Sequence, residues 1–220
     1  MKLALFDLDH TLLSGDSDVL WYEFLCGRGL VDGSQHRRFE QLAASYTAGS
    51  VTPADYCDFH AGLLAGRDPD MLRPLRETFL AEVIRPRIPA DARALLQSHR
   101  DSGHFLVLTT ATNRVVSELT AADLGVDHYI ATELEIADGI YTGRTQGLLN
   151  MRSGKVERLR HWLHEQGLDE VVLKQATFHT DSINDLPLLS VVRRPVVVDP
   201  DPRLASAALR KGWQVLRLAR

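Results

Sequence analysis

The stretch that decides the fold is Lys2-Leu3-Ala4-Leu5-Phe6-Asp7-Leu8-Asp9-His10-Thr11, near the start of the chain. Its apolar part, residues 2–8, predicts a strand of a parallel sheet that is buried on both faces. Alternate residues of a strand point to the same side, so Asp7 and Asp9 are expected to project together. Two carboxylates this close repel each other unless a cation lies between them. The stretch therefore predicts a first strand that carries a cation site at its carboxyl end.

A second pair of carboxylates follows another predicted strand. Residues 176–180 form a short run typical of a strand, and Asp181 and Asp185 come soon after it. If these carboxylates converge on the first pair, they offer oxygen ligands only, which favours a hard divalent ion. No cysteine and no pair of histidines accompanies them, so the predicted cofactor is Mg²⁺ and not Zn²⁺.

The rest of the chain divides into a helical part and an alternating part. Residues 16–87 show helical periodicity, with helices opening at Pro53 and Pro69, and no strand is predicted there. Beyond Pro89, helices are predicted at 90–102, 114–124 and 155–166, with short ones near Leu186 and Ala205. Strands are predicted at 105–109, 128–132, 176–180, 195–198 and 213–216, with a hairpin at 133–144 around Asp138-Gly139.

This alternation predicts an α/β fold, a doubly wound parallel sheet with an inserted all-helical domain. The predicted core domain comprises residues 1–14 and 89–220, and the predicted insertion comprises residues 15–88. The insertion leaves from the carboxyl edge of the sheet, where open α/β sheets bind their ligands. It is therefore expected to cover the ligand as a cap.

Composition narrows the classes of function. The 220 residues are 45% hydrophobic and 25% charged, as in ordinary globular proteins. With 25 basic and 29 acidic residues the net charge is −4, so the overall field does not recruit nucleic acid. No apolar run approaches the ~20 residues that span a bilayer, and the opening residues are too few and too acidic for a signal peptide, which predicts a cytoplasmic protein. Cys26 and Cys57 are too few for a disulfide framework or a zinc site.

Two further stretches suggest anion binding. Thr109-Thr110-Ala111-Thr112-Asn113 lies between a predicted strand and the helix that begins at Arg114. Hydroxyls and backbone N–H groups at a helix N-terminus favour an anion. Gly154-Lys155 opens another helix, where a cation opposes the helix dipole unless an anion compensates it.

Taken in chain order, the stretches that contain Asp7, Thr110, Lys155 and Asp181 resemble the four motifs of the haloacid dehalogenase superfamily of phosphohydrolases. The helical insertion after the first motif resembles the cap of its phosphoserine-phosphatase-like branch. The resemblance implies that Asp7 is the nucleophile, Asp9 the general acid and base, and Lys155 the charge clamp. It also implies that Thr110 and the N–H of Ala111 bind the phosphate and that Asn184 contacts the substrate. By the same resemblance, Asp7, Asp9 and Asp181 hold the metal, and Asp185 lies in the metal's outer shell.

The activity that the resemblance implies is Mg²⁺-dependent hydrolysis of a small phosphomonoester through an aspartyl-phosphate. Thr109 is an alternative to Thr110 as the phosphate ligand. Thr180 stands where the family usually has Gly, so its side chain either packs or adds a hydroxyl near the metal. A mutase or phosphotransferase would use the same intermediate, and a receiver-like signalling module also accepts phosphate on Asp. Asp9 argues against the receiver, because a general acid serves a leaving group.

Substrate choice is expected to depend on the insertion. By the resemblance, Asp16 occupies the position of a Glu that holds the substrate ammonium in phosphoserine phosphatases. His60 occupies that of an Arg that holds the carboxylate, which disfavours phosphoserine because Arg grips a carboxylate best. Three arginines could substitute: Arg67, Arg73 and Arg76. The resulting prediction is an amino-alcohol phosphate, with histidinol phosphate as one candidate and phosphoserine as the alternative.

Four other side chains receive a structural interpretation. Trp21 fits the apolar stripe of its helix, so core packing is favoured over stacking on a substrate. His161 and His164 have no third ligand nearby and are expected to be solvated. His10 is expected to turn away from the metal and is given no role.

Overall fold

The strands form one mostly parallel sheet. The computed structural model describes residues 1–33, 37–38, 41–42, 45 and 51–219. In these residues the sheet has the strand order β4-β3-β2-β1-β5-β6-β7, parallel except for the antiparallel pair β3 and β4. The strands are β1 Leu3–Phe6, β2 Phe105–Asn113, β3 His128–Ala137, β4 Ile140–Gln146, β5 Thr177–Thr180, β6 Arg194–Val198 and β7 Gln214–Leu216.

Helices cover both faces of this sheet, which confirms the predicted α/β class. They are α1 Ser17–Gly27, α2 Pro53–Gly62, α3 Pro69–Phe79, α4 Ala90–Asp101, α5 Arg114–Leu124, α6 Ser153–Glu165, α7 Leu186–Leu189 and α8 Pro202–Lys211. A π-helical turn, Leu80–Ile84, and a 3₁₀ turn, Arg85–Arg87, connect α3 to α4. The helix predicted at 114–124 has these bounds, with Asn113 as its N-cap and Gly125 ending it in the left-handed conformation.

The first strand lies at the centre of the sheet and contributes side chains to two hydrophobic clusters. Ala4 and Phe6 belong to the cluster under α4 and α5, whereas Leu3 and Leu5 belong to the one under α6 and α8. This alternation follows from the two-residue period of a strand. All four residues are at most 1% exposed, so the unbroken apolar run does reflect burial on both faces.

The sheet reverses its winding beside β1. From β1 the chain reaches β2 and β3 on one side and then β5, β6 and β7 on the other. Ligands of open α/β sheets bind at such a switch point, outside the carboxyl ends of the strands. A ligand is therefore expected to lie near the residues just after β1, β2 and β5.

The inserted helices, α1 to α3, pack over this edge. Trp21 is 2% exposed and packs on Phe24 and Phe79, with ring centroids 5.5 and 4.9 Å away, so its predicted core role is confirmed. The hairpin β3–β4 reaches the same helices, because Gly66 N–H donates to Tyr141 O at 2.8 Å and Tyr141 N–H to Arg67 O at 3.0 Å. No strand occurs in the described part of residues 16–87, while the domain boundaries 15–88 stay a prediction.

Several strand ends differ from the prediction. β1 ends at Phe6, two residues short of Leu8, and β2 continues to Asn113 instead of ending at Thr109. β3 continues through the first arm of the hairpin, whose turn residues Asp138 and Gly139 have φ of 50° and 79°. Positive φ at both positions is the geometry of a type I′ turn, which Asp-Gly favours. The register of β2 with β3 shifts between Thr109 and Asn113, an irregularity that the hydrophobic pattern did not indicate.

Three simpler features complete the description of the fold. Cys26 and Cys57 are both free thiols. No helix within the described ranges is long and apolar enough to cross a bilayer. His161 is solvated as predicted, since its side chain is 75% exposed beside Glu165.

A histidine cluster below the sheet edge gives a pH prediction. The ring Nδ1 atoms of His99 and His104 are 2.8 Å apart, and His99 packs edge-on against His179 and Phe6. Burial, then the charges of His104 and Arg194, lower the pKa of His99 from 6.5 to about 4. The unfolded chain thus binds this proton more readily, so the contribution of neutral His99 to stability is complete above pH 6.5 and lost as pH falls toward 4.

We expect His99→Gln to reduce the fall in melting temperature between pH 7.5 and pH 5. Thermal unfolding of wild type and variant at both values measures this difference. His161→Gln is the matched control, because an exposed histidine should leave the fall unchanged. An equal fall in all three proteins would contradict the role given to His99.

Candidate active site

Asp7 and Asp181 lie side by side at the carboxyl edge of the sheet. Asp7 follows β1 directly, and its N–H donates to His179 O at 2.9 Å. Asp181 follows β5 directly, and its Oδ1 accepts from Thr11 Oγ1 at 3.1 Å. Both aspartates border one cavity of about 250 Å³ beneath the inserted helices. The parallel pairing of β1 with β5 thus brings together two carboxylates that are far apart in sequence.

Lys155 lies between two of the carboxylates. Its Nζ is 3.0 Å from Asp7 Oδ1 and 2.8 Å from Asp185 Oδ2, and the residue is 2% exposed. Burial disfavours the charged ammonium, but Asp185 and Asp7 outweigh that effect and raise the pKa of Lys155 above its usual value. Lys155 is therefore a buried cation with two anionic partners. The preceding residue, Gly154, packs closely against the carbonyl oxygen of Leu149. A Cβ at this position would lie 2.0 Å from that oxygen, so the start of α6 requires glycine.

Thr180 fixes Asp185 from the other side. Its Oγ1 donates to Asp185 Oδ2 at 2.8 Å and accepts from Ser182 N–H at 3.2 Å. Thr180 is fully buried and is not among the described residues that border the cavity. Its hydroxyl contacts Asp185, while Asn184 nearby faces the cavity.

Asp9 lies in the same cavity, but not because of strand alternation. β1 has ended before it, and Asp9 instead makes an isolated bridge with Leu13. Its Oδ1 accepts from Ser17 N–H at 2.7 Å, and its Oδ2 accepts from Thr112 Oγ1 at 2.7 Å. The Asp9 carboxylate is thus held by donors from α1 and from the end of β2.

The donor set fits a hard cation in part. Burial raises the pKa of Asp7 and of Asp181, and for Asp181 repulsion from Asp7 is the next cause. Such crowding of carboxylates is what a divalent cation relieves. Yet no group of three His, Cys, Asp or Glu side chains suited to a metal occurs in the described residues. The Asp9 carboxylate accepts from Ser17 and Thr112, and the assignment of Asp7, Asp9 and Asp181 to the metal stays a prediction.

The second motif lies on β2 as an extension of the strand. Thr109 Oγ1 accepts from Asn150 Nδ2 at 2.9 Å, whereas Thr110 Oγ1 is 3.4 Å from Asp9 Oδ2. The Thr110 hydroxyl points to Asp9, but Thr110 is fully buried and is not among the described residues that border the cavity, so its role as phosphate ligand stays a prediction. Ala111 borders the cavity as expected.

The sequence interpretation gave no role to Met151 and Ser182, which border this cavity, and it missed four further residues there. Thr112 contacts Asp9, and its position two residues after Thr110 on a strand is a signal that could have revealed it. The other three are Asp18 from α1 and Tyr56 from α2, with Arg152 just before α6. Their approach depends on how the helices pack over the sheet edge, which local patterns do not encode.

Asp16 and Asp18 form an acidic wall under the insertion. Asp16 borders the cavity as predicted, and its Oδ1 also caps α1 through Asp18 N–H and Val19 N–H. Burial, then repulsion from Asp9, raises the pKa of Asp18 to about 8. His60 is buried, with Nδ1 3.9 Å from Asp18 Oδ1, and burial lowers its pKa. His60 is not among the described residues that border the cavity, so its correspondence to a carboxylate-binding arginine stays a prediction.

Two of the arginines suggested as substitutes, Arg67 and Arg76, are engaged elsewhere. Arg67 donates to Leu63 O and Leu30 O, and Arg76 donates to Val115 O and Glu118. The described residues that border the cavity do not include Arg67, Arg73 or Arg76. His10 borders it from an exposed position with φ of 54°.

Comparison with known proteins agrees with this architecture. The family model for haloacid dehalogenase-like hydrolases matches residues 4–190. A histidinol-phosphatase of Neisseria meningitidis serogroup C is 37% identical over 217 residues, which cover 98% of each chain. Phosphoserine phosphatase SerB1 of Mycobacterium tuberculosis is 33% identical over 228 residues, covering 99% of this chain and 71% of the relative.

A solved structure is also similar over nearly the whole chain. It is a protein with unknown function from Bordetella pertussis Tohama I, with a TM-score of 0.92, 41% identity and coverage of 98% of this chain and 97% of that one. The extent of the family match, together with the four motif segments around one cavity, leads to one conclusion. The chain belongs to the haloacid dehalogenase-like hydrolase family.

Proposed function

We propose that this hydrolase is a Mg²⁺-dependent phosphomonoesterase that acts through a phosphorylated Asp7 on a small amine-bearing phosphate ester. The observation that carries the proposal is the contact of Lys155 with both Asp7 and Asp185 at the floor of a cavity that Asp9 and Asp181 share. A cluster so rich in carboxylates suits a phosphate only when cations neutralise it.

In the proposed reaction, each step is carried out by side chains of this protein. One Asp7 oxygen attacks phosphorus, a bond from phosphorus to that oxygen forms, and the bond to the leaving oxygen breaks with its electron pair going to that oxygen. Asp9 donates a proton to the leaving oxygen and then accepts one from the water that cleaves the acyl phosphate, so two easier displacements replace one. Lys155 orients Asp7, while the Thr110 hydroxyl and the Ala111 N–H are suited to bind the phosphate oxygens.

Asp7 and Asp181 are the side chains that would hold the magnesium ion. When bound, Mg²⁺ would offset the negative charge of the phosphoryl group and polarise it. Thr11 supports this assignment, because its Oγ1 donates to the Asp181 carboxylate and accepts from the Asp181 N–H at 2.9 Å, which fixes the orientation of that residue. Asp185 contacts Lys155 and Thr180, in keeping with an outer-shell role.

The acidic wall supports an amine on the substrate. Asp16 and Asp18 border the cavity in addition to the carboxylates assigned to chemistry. A substrate ammonium would relieve the repulsion that they share with Asp9. His60 offers no positive charge for a substrate carboxylate. These features favour an amino-alcohol phosphate, and the name of the Neisseria relative points to histidinol phosphate.

Phosphoserine is the second candidate, and Arg152 is the observation in its favour. Its side chain borders the cavity from the core side, and an arginine there could meet a substrate carboxylate. The name of the mycobacterial relative points the same way. Arg152→Gln should raise the KM for phosphoserine alone if that substrate is the physiological one.

We expect Asp18→Asn to remove much of the preference for an amine. The measurement is the ratio of kcat/KM for O-phosphoethanolamine to that for propyl phosphate, which has similar size and no charge on its tail. Loss of one charge-assisted contact worth roughly 1.5–3 kcal/mol should reduce this ratio about 10- to 100-fold. Asp70→Asn, which removes an exposed carboxylate from α3, is the matched control.

The same assay tests the wider proposal. Wild-type enzyme should release phosphate with Mg²⁺, lose that activity in EDTA and prefer histidinol phosphate to phosphoserine. A preference for phosphoserine would favour the second candidate. Transfer to a sugar hydroxyl in place of water would indicate a phosphotransferase, and stable phosphorylation without turnover would indicate a receiver-like role.

A further inference from the structure

The Asp9 carboxylate is held between the insertion and the core. Ser17, the first residue of α1, donates its N–H to Asp9 Oδ1 at 2.7 Å. Thr112, at the end of β2, donates its hydroxyl to Asp9 Oδ2 at 2.7 Å. The remaining contact, from Thr110 Oγ1 at 3.4 Å, is long for a hydrogen bond between oxygens. Two short bonds, one to each oxygen, therefore determine the plane of this carboxylate.

Ser17 and Thr112 are also joined to each other. Ser17 Oγ donates to Thr112 Oγ1 at 3.1 Å, and the two residues are 1% and 3% exposed. A hydroxyl has one proton and two lone pairs, so Thr112 Oγ1 can accept from Ser17 and direct its own proton to Asp9. Ser17, Thr112 and Asp9 are thus joined by two consecutive direct hydrogen bonds, and the Thr112 hydroxyl is also within hydrogen-bonding reach of Asp18.

We propose that Thr112 is a positioning residue for Asp9 and that, supported by Ser17, it sets the carboxylate in the orientation for proton donation to the leaving group. This inference rests on the proposed function, because it takes Asp9 as the general acid. A carboxylate oxygen that accepts one hydrogen bond keeps a second lone-pair direction, which is available for the proton exchanged with substrate. Small errors in the placement of a reacting group have large effects on rate.

The step that Thr112 assists has a defined balance. As the Asp7 oxygen bonds to phosphorus, the bond from phosphorus to the ester oxygen breaks and its electron pair goes to that oxygen. The proton from the Asp9 carboxyl group then joins this oxygen, leaving Asp9 as a carboxylate. A poor leaving group needs this proton, whereas a nitrophenolate leaves readily without it.

The test compares two aryl esters of similar shape, phenyl phosphate and p-nitrophenyl phosphate, in wild type, Thr112→Val and Thr112→Ser. The value of kcat/KM is used because it reports steps up to departure of the leaving group and excludes hydrolysis of the phospho-aspartate. General acid catalysis contributes on the order of 10²- to 10⁴-fold. We expect Thr112→Val to lower the ratio of phenyl to p-nitrophenyl phosphate by about 10-fold, as partial loss of that contribution, and Thr112→Ser to restore it.

A merely structural role would give a different pattern. If Thr112→Val lowered kcat/KM equally for both esters, or if Thr112→Ser failed to restore the ratio, the inference would be overturned. If Thr112→Val does not fold, Ser17→Ala tests the same chain and should lower the ratio by a smaller factor, and an unchanged ratio would also overturn it. Absence of phosphate release by wild type from both aryl esters and from histidinol phosphate would instead contradict the proposed function itself.

Discussion

Asp7→Asn is expected to lower phosphate release by at least about 10⁴-fold, since removal of an enzyme nucleophile has effects of this order or more. A carboxamide is a poor nucleophile, and two of the neighbouring carboxylates are held in place by other groups. Asp9 is held by Ser17 and Thr112, and Asp185 is held by Lys155 and Thr180. The measurement is kcat for release of inorganic phosphate from the preferred ester.

Stability separates this loss from misfolding. Asp7 is buried, and burial raises its pKa, so the neutral amide should leave the melting temperature unchanged or raise it. Asp7→Ala is the second variant, because deamidation cannot regenerate an aspartate there. In the wild type, acid quenching during turnover should trap one phosphoryl group on the peptide that contains Asp7. Turnover above a few per cent of wild type in either variant would exclude Asp7 as the nucleophile.

The central part of the fold could be predicted from sequence because it depends on local pattern and burial. An apolar run that ends in acidic residues predicted β1 as a buried strand of a parallel sheet, and the turn chemistry of Asp138-Gly139 predicted the hairpin. The end of β1 at Phe6 could not be predicted in this way, because Leu8 is apolar and equally buried although it lies outside the strand. Its burial comes from tertiary packing rather than from strand pairing.

The candidate site likewise contains residues that the sequence predicted and residues that it did not. Asp7 and Lys155 are 148 residues apart, and their meeting was expected only because the order of motifs resembles a known family. Asp18 belongs to no such motif, and Thr112 lies in the second motif stretch but was given no role there. They reach the cavity because α1 packs across the end of β2, where Asn113 Nδ2 lies 3.4 Å from Asp18 Oδ1. Contacts between an insertion and a core depend on three-dimensional packing, which a single sequence does not specify residue by residue.

Lys155→Met is expected to destabilise the protein by about 3–5 kcal/mol, the usual cost of removing one partner from a buried ion pair. Methionine has similar length and fills the space, but it leaves the carboxylates of Asp7 and Asp185 buried without a counter-charge. Both acids are less than one-tenth exposed. For a chain of this size the melting temperature should fall by roughly 10 °C. Unfolding is measured in EDTA, so that no divalent ion replaces the lost ammonium.

A second substitution distinguishes lost charge balance from lost packing. In Lys155→Met/Asp185→Asn, one of the two unbalanced carboxylates is neutral, so part of the stability should return, because the free-energy changes of contacting residues are not additive. Activity should not return, since Asp7 would still lack the cation that orients it and helps to neutralise the phosphate, an effect worth about 10²- to 10³-fold in comparable sites. If the double variant were less stable than Lys155→Met alone, Lys155 would act mainly through its packing and its hydrogen bonds, and the buried charges would already be balanced by other groups.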